Sequence, residues 1–211
     1  MKKGIIFDMD GTLWDSAKQV AVSWNLALAE WGYKREPLTR EDMYLVMGRT
    51  MDVIADMLFS DCPKEERESL LACCCRRENE YLREHGGMLY PRVRETLAEL
   101  KRRWPLYIVS NCQSGYIEAF LDYYRLHEMF EDLQCYGDNG LQKADNIRIV
   151  CERNGLSDAV YVGDIQGDYD ASTAAHVRFI HAGYGFGTIR EDVPEIKDFA
   201  ELSGLAAELL G

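Results

Sequence analysis

Asp8 and Asp10 stand two residues apart, directly after the run Ile5-Ile6-Phe7. A short apolar run ending in acids reads as a strand whose carboxyl end carries them, and open α/β sheets bind ligands at that end. In an extended chain, residues two apart project to the same side, so both acids can address one reacting group in different roles. Gly11 then turns the chain. Three further segments bring matching chemistry: Ser110-Asn111 after Leu106 to Val109, Lys143 just before a helical segment, and Gly163-Asp164 with Asp168 after Val160 to Val162.

This set suits attack of a carboxylate on a phosphoryl group. Nucleophile and phosphate repel, and two unit charges about 4 Å apart cost about 4 kcal/mol at an effective dielectric near 20. Asp164 worsens that repulsion unless a divalent cation lies between the oxygens, and carboxylates together with substrate phosphate are the usual ligands of magnesium. Mg2+ is therefore the expected cofactor. Lys143 brings a second positive charge, and the Ser110 hydroxyl with nearby backbone N–H groups brings directional donors. Asp10 can protonate a departing alkoxide and later deprotonate water, the two halves of covalent catalysis.

The elements that must hold these groups alternate along the chain. Strand-like runs fall at Gly4 to Phe7, Leu106 to Val109, Leu133 to Tyr136, Val160 to Val162 and Val177 to His181. Helical periodicity lies between most of them, at Val93 to Arg103, Tyr116 to Tyr124, Ala144 to Asn154 and Tyr169 to Ala175, which is the order of a Rossmann-like parallel α/β sheet flanked by helices. From Asp15 to Gly87 only helical stretches occur, at Ala17 to Trp31, Arg40 to Met47, Met51 to Phe59 and Lys64 to Arg83. The expected organisation is an α/β core of residues 1–14 and 88–211, with an α-helical cap of residues 15–87 inserted between. Either the cap hinges at its glycine-bearing connections, or its helices are fixed decoration on the sheet.

The motifs Asp8-Met9-Asp10-Gly11-Thr12-Leu13, Ser110-Asn111, Lys143 and Gly163-Asp164-Ile165-Gln166-Gly167-Asp168 resemble, in order, the four motifs of the haloacid dehalogenase-like phosphohydrolases. The helical insert and the re-entry segment Tyr90 to Leu97 are similar to phosphoglycolate phosphatase-like members. The resemblance implies that Asp8 is the nucleophile that becomes aspartyl-phosphate and Asp10 the general acid/base. It also implies that Lys143 steadies nucleophile and phosphate, and that Ser110 binds the transferring group with Gly11, Thr12 and Asn111 beside it. Magnesium is then held by Asp8, the Asp10 backbone carbonyl and Asp164, with Asp168 supporting from behind. The acid at position 10 argues against the dehalogenase and phosphonate-cleaving branches. A β-phosphoglucomutase-like enzyme is the closest rival, but the stretch where such mutases carry a cap histidine has Val20 here. A receiver-type phosphoacceptor switch is the non-enzymatic alternative, and it needs neither the acid at 10 nor an insert.

The implied substrate is a small phosphorylated metabolite, phosphoglycolate first, with sugar phosphates and nucleoside monophosphates next. Gly48-Arg49-Thr50 resembles a cap loop reaching over the site, which makes Arg49 the candidate contact for the leaving group. Trp14 beside the hinge packs or walls the pocket. Cys112, two residues after Ser110, is a candidate for oxidative inhibition. Gly183 to Gly187 reads as a loop at the core edge, since it lacks a nucleotide-binding glycine pattern.

The 211 residues are 47% hydrophobic and 28% charged, enough for a substantial core. Lys plus Arg number 24 against 36 Asp plus Glu, and the resulting net charge of −12 opposes nucleic acid and anionic membranes alike. The apolar start is broken at Asp8, so it does not read as a signal peptide, and no stretch approaches the roughly 20 apolar residues of a membrane span. The expectation is a cytoplasmic protein, a monomer or else a homodimer. The 7 cysteines, including Cys73, Cys74 and Cys75 in a row, read as reduced packing residues without metal-ligand spacing.

Overall fold

The computed structural model describes residues 2–211. Its centre is β1 (Lys2–Phe7), whose Ile5, Ile6 and Phe7 are wholly buried, as a strand covered on both faces requires. Strand β2 (Trp14–Asp15) follows, then four helices, α1 (Ala17–Trp31), α2 (Arg40–Val46), α3 (Met51–Leu58) and α4 (Lys64–His85), then β3 (Met88–Leu89). The remainder runs α5 (Val93–Leu100), β4 (Leu106–Ser110), α6 (Tyr116–Tyr124), β5 (Asp132–Cys135), α7 (Tyr136–Asn139), α8 (Lys143–Arg153), β6 (Leu156–Gly163), α9 (Gln166–Ala174), β7 (Arg178–Ala182), β8 (Glu195–Ile196) and α10 (Leu202–Leu210).

The main sheet has six strands in the order β5-β4-β1-β6-β7-β8, all paired in parallel. Alternation along β1 separates two apolar layers. Ile6 faces Tyr107, Val109, Ile147, Val150 and Tyr161, whereas Ile5 and Phe7 join the larger cluster with Leu97, Phe120, Phe199 and Leu202. The parallel α/β reading therefore holds. Two short strands differ from expectation. Trp14–Asp15 pairs antiparallel with Met88–Leu89, so the insert is entered and left through one two-stranded ribbon rather than through plain turns. Glu195–Ile196 adds a sixth strand that two residues behind Pro194 could not announce. Tyr136, expected to end a strand, instead starts the single-turn α7.

Each helix of the insert has a local reason for its limits. Thr39 caps α2, accepting the Asp42 N–H at 3.2 Å while Asp42 accepts the Thr39 N–H at 2.8 Å. Gly32 closes α1 in the left-handed conformation at φ +80°. Trp24 and Phe59 stack at 5.7 Å between centroids and bind α1 to the end of α3. Among the described residues no helix is long and apolar enough to cross a membrane, and all seven cysteines are free thiols.

Candidate active site

Because β1 lies between β4 and β6, the loops leaving these three strands converge. Asp8 follows β1, Ser110 ends β4 and Asp164 follows β6. Lys143 is the first residue of α8, which packs on that edge and aims its ammonium inward. Its Nζ donates to Asp8 Oδ1 at 2.7 Å and to Asp168 Oδ1 at 2.6 Å, and the side chains of all three are at most 4% exposed. Asp168 is at the third position of α9, where its other oxygen accepts the backbone N–H of Asp164 at 3.0 Å and of Ile165 at 3.3 Å. Both its oxygens are thus engaged in capping the helix and holding the lysine.

Asp10 has its own holders. Its Oδ1 accepts from the Ser16 hydroxyl at 2.6 Å and the Tyr116 hydroxyl at 2.7 Å, and those two hydroxyls lie 2.8 Å apart. Burial raises the Asp10 carboxyl to about 6, opposed by these donors. Burial also raises Asp8, to about 7, against the pull of Lys143 and with the nearby Asp168 and Asp10 charges pushing the same way. An acid poised near neutrality suits a group that gives and takes protons.

Oxygens of Asp8, Asp164 and Asp168 lie within 4.8 Å of one another. Asp164 Oδ2 accepts the Phe186 N–H at 2.7 Å, while its Oδ1 is buried with no hydrogen-bond partner. A hard cation would satisfy that oxygen, and Asp8 with Asp164 supplies the hard donors magnesium takes. Asp168, bonded through both oxygens, fits a supporting part better than a ligand. The backbone around this spot is crowded: a Cβ on Gly11, at φ +84°, would stand 2.0 Å from Asp164 Oδ2, and one on Gly185 would stand 2.4 Å from the Gly11 carbonyl. Only glycine fits either position. The Gly183 to Gly187 segment is a loop, as the sequence suggests, and it also belongs to the site, since its Phe186 amide holds Asp164.

The helical insert closes over these groups and leaves a cavity of about 40 Å³. Asp8, Asp10, Ser110 and Asn111 form its floor, and Val20, Trp24, Val46, Met47 and Glu78 form much of its roof. Arg49 lines the mouth, exposed, with its Nε donating to the Leu45 carbonyl at 3.4 Å. The Gly11 and Thr12 N–H groups donate to Trp14 and Met9 carbonyls at 2.9 and 3.1 Å and build the turn after β1, while the Thr12 hydroxyl is buried with no hydrogen-bond partner. Asn111 reaches the cavity, but its amide donates to the Gly48 carbonyl at 2.9 Å and so latches the insert to the core. Trp14 is wholly buried against Tyr116, Phe120 and Tyr124 and packs within the two-stranded ribbon that leads into the insert instead of walling the pocket. Cys112 does line the cavity, yet burial pushes its thiol well above the ordinary range, which works against the thiolate that oxidation requires.

A model of the haloacid dehalogenase-like hydrolases matches residues 5–182. The chain belongs to that family. Among curated relatives, the phosphoglycolate phosphatase of Aliivibrio fischeri is 28% identical over 196 residues, spanning 87% of this chain and 85% of the relative. A haloacid dehalogenase-like hydrolase from Bacteroides fragilis superposes with a TM-score of 0.81 at 21% identity, covering 96% of this chain and all of its own. A predicted phosphoglycolate phosphatase from Haemophilus somnus gives 0.78 at 23%, covering 97% and 98%. The protein is thus an enzyme of the haloacid dehalogenase-like hydrolases.

Sequence reasoning missed four residues that shape this site. Tyr116 and Ser16 come from α6 and from just before α1, and only the fold brings them to Asp10. Gln113 and Glu78 line the cavity from the β4–α6 loop and from mid-α4. Glu78 is only 4% exposed, and its Oε2 accepts the Trp24 indole N–H at 2.5 Å. Burial pushes it to about 8. In sequence it sits among Arg76, Arg77 and Glu80, the signature of a solvated helix face, so no local signal separates it.

Proposed function

We propose that this enzyme is a magnesium-dependent phosphatase that hydrolyses a small phosphomonoester through an aspartyl-phosphate on Asp8. The observation carrying this reading is the buried ammonium of Lys143 between Asp8 and Asp168, beside an Asp164 oxygen that has no partner. Asp8 and Asp164, with the Asp10 carbonyl, would hold magnesium, which when bound screens the phosphoryl oxygens from the carboxylates. Lys143 orients Asp8 for in-line attack and offsets its charge. Ser110 steadies the transferring group. Asp10, fixed by Ser16 and Tyr116, protonates the leaving oxygen and then takes a proton from the water that cleaves the acyl-phosphate. Residues 15–87 serve as a cap that opens to admit substrate and closes to exclude bulk water.

The names of the curated relatives make phosphoglycolate the reference substrate. The mutase reading lacks support in the cavity, where Val20 forms the wall and, among the described residues, no histidine lines it. Free thiols suit a cytoplasmic enzyme. The test is phosphate release from a panel of small phosphomonoesters, with and without magnesium, comparing wild type with Asp8→Asn. Magnesium-dependent release that the substitution abolishes supports the phosphatase. Isomerisation of a sugar phosphate without release supports the mutase, and stable phosphorylation of Asp8 without turnover supports a switch.

A further inference from the structure

The roof of the cavity is apolar except at one place. Val20 and Trp24 of α1, Val46 of α2 and Ile54 of α3 present hydrocarbon, and among them stands the Glu78 carboxyl from α4. Among the described residues no Lys, Arg or His nitrogen pairs with it, and the Trp24 N–H holds one of its oxygens. Gln113, the other polar side chain near it, gives its amide to Asn79 at 3.0 Å and also stands as a donor to the Glu78 carboxyl. A buried carboxyl without a cation is costly, and nothing in the packing of α4 calls for one where leucine or methionine would fill the space.

The position of this group matters more than its cost. It lines the same cavity as Asp8 and Asp10 but from the helical insert, where the leaving group would lie once the phosphoryl group sits at Asp8. With the phosphoryl group on the floor, a short leaving group is the only part of the substrate that can reach the roof. We propose that Glu78 is the specificity-determining residue of this enzyme, accepting a hydrogen bond from a hydroxyl or ammonium on the leaving group and discriminating against a carboxylate there. The substrate class is then a small polyol or amino-alcohol phosphate, its carbon chain against Val20, Val46 and Ile54. A carboxylate at the same place brings no donor of its own and adds its charge beside Asp10, with only Arg49, out at the mouth, to offset it. A site built around an acceptor rejects analogues lacking the donor, because its own polar group is left unpaired.

This inference rests on the phosphatase reading and narrows it. The test measures kcat/KM with magnesium for glycerol phosphate, phosphoethanolamine, propyl phosphate and phosphoglycolate, in wild type, Glu78→Gln and Glu78→Leu. In the wild type one or both donor-bearing esters are expected to exceed propyl phosphate and phosphoglycolate at least tenfold. Glu78→Leu removes that advantage, chiefly through KM, and leaves propyl phosphate within about threefold of the wild type. Glu78→Gln, which keeps the shape and an acceptor oxygen, retains a hydroxyl preference and loses an ammonium preference, so the two donors are told apart. Equal losses on all four esters indicate a merely structural Glu78 and overturn the proposal, as does a wild-type preference for phosphoglycolate that both variants keep. Absence of hydrolysis of every ester by the wild type defeats the phosphatase reading itself, whereas hydrolysis indifferent to residue 78 defeats this proposal alone.

Discussion

Replacing Lys143 with methionine tests the electrostatic arrangement directly. The ammonium is the sole cation within 4 Å of either buried partner among the described residues, at 2.7 Å from Asp8 and 2.6 Å from Asp168. Methionine fills much the same volume, so packing is nearly preserved and the change isolates the charge. Two buried carboxylates then face each other uncompensated. Removing one partner from a buried ion pair costs about 3–5 kcal/mol, a large part of the 5–15 kcal/mol that typically stabilises a folded domain. Urea unfolding in EDTA at pH 7.5 is expected to show a loss of at least about 3 kcal/mol, two orders of magnitude in the folding equilibrium. Adding Asp168→Asn to Lys143→Met removes one of the stranded charges and should restore about 1–2 kcal/mol, a coupling that a double-mutant cycle reads. Phosphate release stays abolished in both variants. A loss below about 1 kcal/mol, or a double variant no more stable than the single, refutes the view that Lys143 compensates a buried carboxylate pair.

Three other outcomes follow from the geometry. Gly11→Ala puts a Cβ 2.0 Å from Asp164 Oδ2 at a φ of +84°, so magnesium-supported release should fall at least about a hundredfold, with the magnesium requirement shifted upward in a titration. Tyr116→Phe removes one donor from Asp10 and leaves Ser16; kcat should fall about tenfold, and because that donor lowers the Asp10 pKa from where burial puts it, the limb of the pH–rate profile belonging to Asp10 should move to higher pH. Glu78 is raised from 4.5 to about 8, so its neutral form supports folding fully below pH 4.5 and that support drains away as pH rises to about 8. The slope is at most about 1.4 kcal/mol per pH unit. Unfolding curves in EDTA from pH 5 to 8.5 should therefore be flatter for Glu78→Gln, and matching slopes would remove Glu78 as their source.

What the sequence made legible was whatever is written locally. Asp8, Ser110 and Asp164 each end or follow a strand that its own apolar run declares, and parallel pairing of those strands then brings them together without further information. Lys143 and Asp168 were legible only through the family motifs they complete, since a lone lysine at a helix start reads by itself as a solvated charge. Tyr116 and Glu78 were not readable, since they act across 106 and 54 residues of chain through contacts that no periodicity encodes, and Ser16, 6 residues from Asp10, reaches it through a turn whose course no pattern marks. Phe186 contributes through its backbone N–H alone, so its identity carried no signal. Strands of two residues, as at Trp14–Asp15 and Glu195–Ile196, are too short for alternation to show, and only their partners define them.

The place of β1 in the middle of the sheet also governs when this enzyme can come into being. Its first partner along the chain is β4, about a hundred residues later, and its other neighbour β6 comes some fifty residues after that. At synthesis rates of about 5–20 residues per second, Ile5-Ile6-Phe7 waits about 5–20 s with neither sheet edge paired. The helices of the insert, made of near-neighbour contacts, can form during that interval, whereas the parallel sheet is a late, non-local event. Asp8, the proposed nucleophile, is thus made well before it is installed, and a chain halted before β6 has no Asp164 and an exposed, aggregation-prone strand in place of a catalyst.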